Sequence, residues 1–131
     1  MKRIFTAAVV LAALAMCSVA AAAVVTLKGT WKETVHSTAL GGELNGTWAV
    51  KFANGAYHVT QSGHPVVHGK FTIKGSKISL KDTGGSGACP GTGVYKFKVT
   101  GNSLTFKLVS DKNAGCVGRR DVLIAGTFKK S

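Results

Sequence analysis

Between Cys89 and Cys116 the chain alternates cleanly between apolar and polar positions. Tyr95, Phe97 and Val99 fall on one side, with Lys96 and Lys98 on the other. After Gly101-Asn102, the positions Leu104, Phe106 and Leu108 alternate with Thr105 and Lys107. A period of two marks a strand half buried on a sheet, so this stretch predicts a β-hairpin with a cysteine just outside each end. The same rhythm runs through the chain from residue 26, and turn residues recur about every ten positions. No stretch beyond that point sustains a period of 3.6.

The pattern predicts eight strands. The first covers 26–35, with Leu27, Gly29, Trp31 and Val35 on one side, and the second 45–53, with Trp48, Val50 and Phe52 in phase. Asn54-Gly55 then asks for positive φ at both central positions, the chemistry of a type I′ hairpin. The third strand is 56–61, carrying Tyr57 and Val59, and Ser62-Gly63 turns it back. The fourth is 65–73, with Val67, Gly69, Phe71 and Ile73 on the apolar side; Pro65 stands first, where a missing N–H does least damage. Strand five is 77–81, with Ile78 and Leu80 inward. Two loops, 82–93 and 111–120, hold the cysteines and flank the hairpin strands, and 122–129 is the last strand, with Val122, Ile124 and Phe128 in phase.

Short successive connections predict an all-β, eight-stranded antiparallel up-and-down barrel, because closure removes exposed edges. A two-sheet sandwich would show the same alternation; the barrel is favoured because no Greek-key crossover is evident. One face of each strand is apolar and the other is rich in Lys, Thr and Ser, which implies an apolar interior and a basic, wet exterior.

The first residues change the picture of compartment. Lys2-Arg3, an apolar run from Ile4 to Met16 and the small residues Ser18-Val19-Ala20 read as a secretory signal peptide over 1–23, leaving a domain over 24–131. A second reading is a lipid anchor on Cys17, since Leu14-Ala15-Met16-Cys17 is similar to a lipoprotein box. The mature chain is expected to be secreted or periplasmic. It keeps 15 basic and 5 acidic residues, a net charge of +10. Of three cysteines only Cys89 and Cys116 remain, and an even pair in an exported chain predicts a disulfide.

Gly29-x-Trp31 at the start of the first strand, with Arg119-Arg120 before the last, resembles the lipocalin or calycin pattern. Small secreted bacterial lipocalin-like proteins carry G-x-aromatic strands, a cysteine loop, and Asp, Cys and Arg before the final strand. Here Gly69-Lys70-Phe71, Gly93-Val94-Tyr95, Leu104-Thr105-Phe106, Asp111, Cys116 and Arg119 stand in those places. The resemblance implies a barrel whose Gly-x-Trp packs beneath an Arg or Lys. It gives Gly29, Trp31, Arg119 and Arg120 structural roles, and the shared phase of Arg120 and Val122 places Arg120 on Trp31.

Candidate chemistry is sparse. His64 and His68 share a face, whereas a plain two-residue turn at Ser62-Gly63 puts His58 opposite Val67 and on the other face. At most two histidines converge, and His36 lies elsewhere, so no metal site is expected. An inward His58 as a haem ligand is the lesser alternative, and no cofactor is expected. The five acids, Glu33, Glu43, Asp82, Asp111 and Asp121, form no paired motif with a histidine, and no nucleophile elbow occurs. A binding module is therefore expected rather than an enzyme.

Lys51, Lys70, Lys74, Lys77, Lys81, Lys96, Lys98 and Lys107 take outward positions or turns. They either keep the barrel soluble or attract an anionic envelope surface. Nucleic acid is not expected, because the aromatics lie on the opposite face from the lysines. The expected function is a monomeric lipocalin-like carrier of a small apolar ligand lined by Trp48, Phe52, Tyr57, Phe71, Tyr95, Phe97 and Phe106. The alternative is a filled barrel acting through its loops and surface, as a lysozyme or protease inhibitor or an anionic envelope binder, with the 82–93 loop as the suspected contact.

Overall fold

The computed structural model describes residues 27–131. The expected signal peptide and Cys17 lie outside the described residues. Eight antiparallel strands close into a barrel in the order β1-β2-β3-β4-β5-β6-β7-β8. They are β1 (Gly29–Val35), β2 (Gly46–Ala53), β3 (Ala56–Gln61), β4 (His64–Lys74), β5 (Lys77–Gly84), β6 (Thr92–Thr100), β7 (Ser103–Ser110) and β8 (Thr127–Lys130). One helix, α1 (Val117–Ile124), follows a 3-10 turn at Ala114–Cys116.

Turn chemistry fixes one end. Asn54 and Gly55 have φ of 51° and 75°, as the type I′ signature requires. The hairpins after β4 and β6 take positive φ at Gly75 and Gly101 and likewise join their strands through two residues. The other end carries the long connections: residues 36–45, 85–91 and 111–126.

The last strand differs from expectation. Residues 117–124 are helical, and only Thr127–Lys130 pairs with β7 and β1. The Val122/Ile124 alternation was too short to set a strand. Val122 and Leu123 are both buried, which consecutive residues on one strand cannot achieve against one core, while Ile124 is exposed. Gly115, Gly118, Arg119, Val122 and Leu123 face the barrel at a spacing of three and four, the helical period. The helix plugs one end between β7 and β8. The fifth strand runs three residues beyond 81, so Asp82 belongs to β5 rather than to a loop.

Three bulges sit near the helix end. Val66 is the extra residue between β3 and β4, Thr83 between β4 and β5, and Val109 between β6 and β7. The first of these overturns the expected histidine geometry. His58 pairs with His68, not Val67, and both rings stack on the outer face with centroids 6.2 Å apart. An inward His58 is therefore ruled out, and with it the haem alternative.

Cys89 and Cys116 form the expected disulfide, with Cα atoms 5.2 Å apart and a sequence separation of 27. It ties the β5–β6 loop to the turn that starts the helix. Closing a loop of that length is worth about 3.5 kcal/mol in the chain-entropy model. Replacing both cysteines by serine is expected to lower the thermal midpoint by more than about 10 °C. Calorimetry of the oxidised protein and the double variant measures this, and equal midpoints would show that the staple does not hold the fold.

Candidate functional site

The barrel interior is filled on one side and hollow on the other. Tyr95, Phe97, Leu104, Phe106, Phe128 and Ile78 fill the β5–β8 side. Edge-to-face contacts join Tyr95 to Phe106 at 6.4 Å and Phe106 to Phe128 at 5.8 Å. Opposite them, a cavity of about 360 Å³ lies against β2–β5 beneath α1. Trp48, Val50 and Phe52 of β2, Tyr57 and Val59 of β3, and Leu80 of β5 form its apolar wall. The bulge in β4 turns both Val66 and Val67 toward it, although they are consecutive.

Of the seven aromatic residues expected to line a ligand, the structure brings Trp48, Phe52 and Tyr57 together on this cavity. Phe71, Tyr95, Phe97 and Phe106 are not on its wall. Phe71 is half buried and packs edge-on against Phe52 at 5.2 Å, while the other three belong to the filled side. Leu40, exposed and in the left-handed region at φ 51°, stands at the cavity mouth with Glu43.

A buried polar cluster forms the floor between cavity and helix. Arg119 makes a bidentate contact with Asp111, with Nε and Nη2 each donating at 2.8 Å. Its Nη1 lies 3.5 Å from Asp82 Oδ1. The side chains of Arg119, Asp82 and Asp111 are 9%, 2% and 1% exposed. Tyr57 donates to Asp82 at 2.6 Å, Tyr95 donates to Asp111, and the Cys89 amide donates to Asp82 Oδ2 at 2.9 Å. Arg119 Nη1 itself is buried and makes no hydrogen bond.

Two glycines make these reaches possible. A Cβ on Gly69 would fall 2.4 Å from both the Tyr57 ring and the Lys81 carbonyl, so Tyr57 crosses β4 over a bare backbone to meet Asp82 on β5. A Cβ on Gly93 would fall 2.6 Å from Asp111, where Tyr95 arrives. The G-x-aromatic motifs thus clear space for tyrosine–carboxylate bonds.

Burial raises the pKa of Tyr57 and Tyr95, and their bonds to Asp82 and Asp111 raise it further. Both stay protonated donors at neutral pH. Burial alone would raise Asp111, but the bonds from Arg119 and Tyr95 and the charges of Arg119 and Arg120 outweigh it. The carboxyl is held below its ordinary range. Burial disfavours charge on Arg119 too, yet Asp111 and Asp82 more than compensate and push its pKa up. The cluster is tied up within itself and presents no activated nucleophile or free base.

Trp31 and Arg120 do not meet as expected. Arg120 donates to the Asp111 carbonyl at 2.6 Å at the helix end. The cation over Trp31 is Lys130 of β8, 5.7 Å from the ring, and the indole N–H donates to Lys28 at 3.0 Å. Gly29 opens β1 beside the Lys130 stem. The basic residue that packs on the Gly-x-Trp comes from the last strand, whose position relative to β1 no local pattern announces.

Glu33 is the other polar residue of the interior. It is 8% exposed, points inward from β1 opposite Trp48, and its Oε1 has no partner. Its place midway between Trp31 and Val35 is the sequence signal for this position, although it is not among the residues expected inward on the first strand. Burial pushes its pKa from 4.5 up to about 7. Among the described residues no group of three or more His, Cys, Asp or Glu side chains could hold a metal ion. Comparisons with protein-family models, with curated proteins and with solved structures find no match to this chain.

Two predictions follow from this geometry. Gly69→Ala is expected to destabilise the protein by about 1–3 kcal/mol in urea unfolding, and Tyr57→Phe in the same chain not to restore it, because the Lys81 carbonyl and the ring Cζ, which phenylalanine keeps, still block the methyl. Full rescue by Tyr57→Phe would place the whole clash on the hydroxyl. For Glu33, the folded pKa lies above the unfolded one. As pH rises from about 4.5, the unfolded chain releases its proton first, and stability falls until about 7. Asp111 has the opposite sign: its contribution is present above the unfolded pKa and is lost as pH falls below it. Denaturation at pH 5 and pH 8 is expected to show the wild type weaker at pH 8 by up to a few kcal/mol, with Glu33→Gln removing most of the difference. An unchanged pH dependence in that variant would exclude Glu33 as its source.

Proposed function

We propose that this protein is a lipocalin-like carrier of a small, uncharged apolar molecule, held in the cavity beneath α1. The observation that carries the reading is a largely apolar cavity of about 360 Å³ with a few polar residues, Ser86, Asp82 and Arg119 among them, in its lining. Such a combination of apolar wall and few placed polar groups is typical of small-molecule sites. By proportion to an apolar cavity of about 150 Å³ that holds benzene, the space suits roughly 14 heavy atoms.

The charge of the ligand follows from the cluster. Arg119 already faces two carboxylates, and Arg120 is spent on the Asp111 backbone. A ligand carboxylate would enter beside Asp82 with no free cation to meet it, and burying it unpaired is costly. A hydroxyl or carbonyl oxygen can instead bond Ser86, which also lines the cavity, without adding charge. The Gly-x-Trp beneath a basic residue supports the lipocalin-like assignment, with Trp31 and Lys130 in those roles.

Titration with dodecanol, dodecanoate and dodecane tests this, followed by Trp48 fluorescence and native mass spectrometry. Dodecanol is expected to bind with Kd of roughly 1–100 µM, at least about tenfold tighter than dodecanoate or dodecane. Val67→Trp, which fills the cavity, is expected to abolish binding while keeping the far-ultraviolet spectrum of the barrel. Failure of all three molecules to bind, or undiminished binding by Val67→Trp, overturns the reading.

A further inference from the structure

The outward lysines are not scattered. In the barrel register Lys74 pairs with Lys77, Lys77 with Lys96, and Lys96 with Lys107. Four exposed lysines therefore form one unbroken row across β4, β5, β6 and β7. A second pair, Lys70 and Lys81, lies beside it on β4 and β5. Like charges placed directly across strands repel, so the row carries a cost to the fold.

No acid relieves it. The chain has five acidic residues. Asp82 and Asp111 are buried against Arg119, and Glu33 points into the barrel. Glu43 lies in the connection before β2 and Asp121 in α1. The outer face of β4–β7 thus holds lysines and no exposed carboxylate, and none of the four is in an ion pair.

We infer that this row binds a flexible linear polyanion that runs around the barrel, across the strands. Neighbouring strands place the lysines about 5 Å apart, a spacing that a chain of closely repeated phosphates or sulfates can follow. The shape of the row sets the partner. Eight strands in a closed barrel turn about 45° per step, so Lys74 and Lys107 diverge by about 135°. A flat bilayer reaches one or two of these lysines at a time. A flexible polymer wrapped around the wall reaches all four and releases its counterions. The aromatic side chains of these strands face inward or half inward, so the contact is through charge and not through base stacking.

Binding of long-chain polyphosphate to the intact protein, measured over a range of salt concentrations, tests this. Four contacts are expected to give a slope of log affinity against log salt of about −3. Lys77→Gln with Lys96→Gln is expected to bring the slope to about −1.4 and to weaken binding about 50-fold at 50 mM salt. Lys32→Gln with Lys51→Gln removes the same charge from exposed positions on β1 and β2 and is expected to change affinity less than about threefold. Equal losses in the two pairs reduce the effect to net charge and overturn the inference. So does an absence of polyphosphate binding, or tighter binding to vesicles of anionic lipid than to polyphosphate.

Discussion

Arg119 is the residue on which the helix end of this barrel depends. Its guanidinium joins three pieces of chain that do not pair directly with one another: the helix that carries it, Asp82 inside β5, and Asp111 just beyond β7. Each carboxylate also holds a tyrosine, and Asp82 holds the amide of Cys89, so the disulfide loop is bound into the same cluster. All three charged side chains are nearly removed from water. Taking one partner from such a group leaves an uncompensated buried charge, typically a loss of about 3–5 kcal/mol, a large part of a small domain's stability. The covalent staple and the ion cluster act on the same junction by different physics. One restricts the unfolded chain, and the other orders the folded one.

That junction also explains why the interior is hollow where it is. On the β5–β8 side, aromatic rings meet edge to face and leave no room. On the β2–β5 side, glycine and valine replace large residues, and Tyr57 lies across Gly69 instead of filling the centre. The helix bridges the resulting space as a plug. Asp82 and Arg119 of the polar cluster border its floor. Inside and outside therefore have different electrostatic characters: the floor sets one arginine against two carboxylates, while the wall of β4–β7 keeps its positive charge unopposed.

The first seven strands, the antiparallel hairpins and most of the inward faces were legible along the chain, because a period of two and Gly-containing two-residue turns are local signals. Val99 and Leu108, in phase with the inward residues, are exposed near the strand ends. Tyr95, Phe97, Leu104 and Phe106 point inward as the alternation requires. The disulfide was legible too, from an even cysteine pair. Other features were not. The bulge at Val66 shifts His58 from Val67 to His68, and a single inserted residue leaves no mark in the alternation. The eight-residue helix was hidden by a chance match of Val122 and Ile124, although Arg119, Val122 and Leu123 carried its three-and-four spacing. Asp82 lies far in sequence from Asp111 and Arg119, and those two, eight residues apart, meet across a turn and not within one regular element, so the cluster had no local signature. The glycine two residues before an aromatic was visible, but its use as a passage for tyrosine was not.

The residue pattern settled what depends on neighbours in the chain: which stretches extend, which faces turn from water, and where the chain reverses. Which interior side chains fill the barrel and which border a void, which cation covers Trp31, and how four lysines fall into one row all depend on closure. Closure sets the register between strands that are distant in sequence, and a shift of one residue there exchanges every partner while leaving the local pattern unchanged.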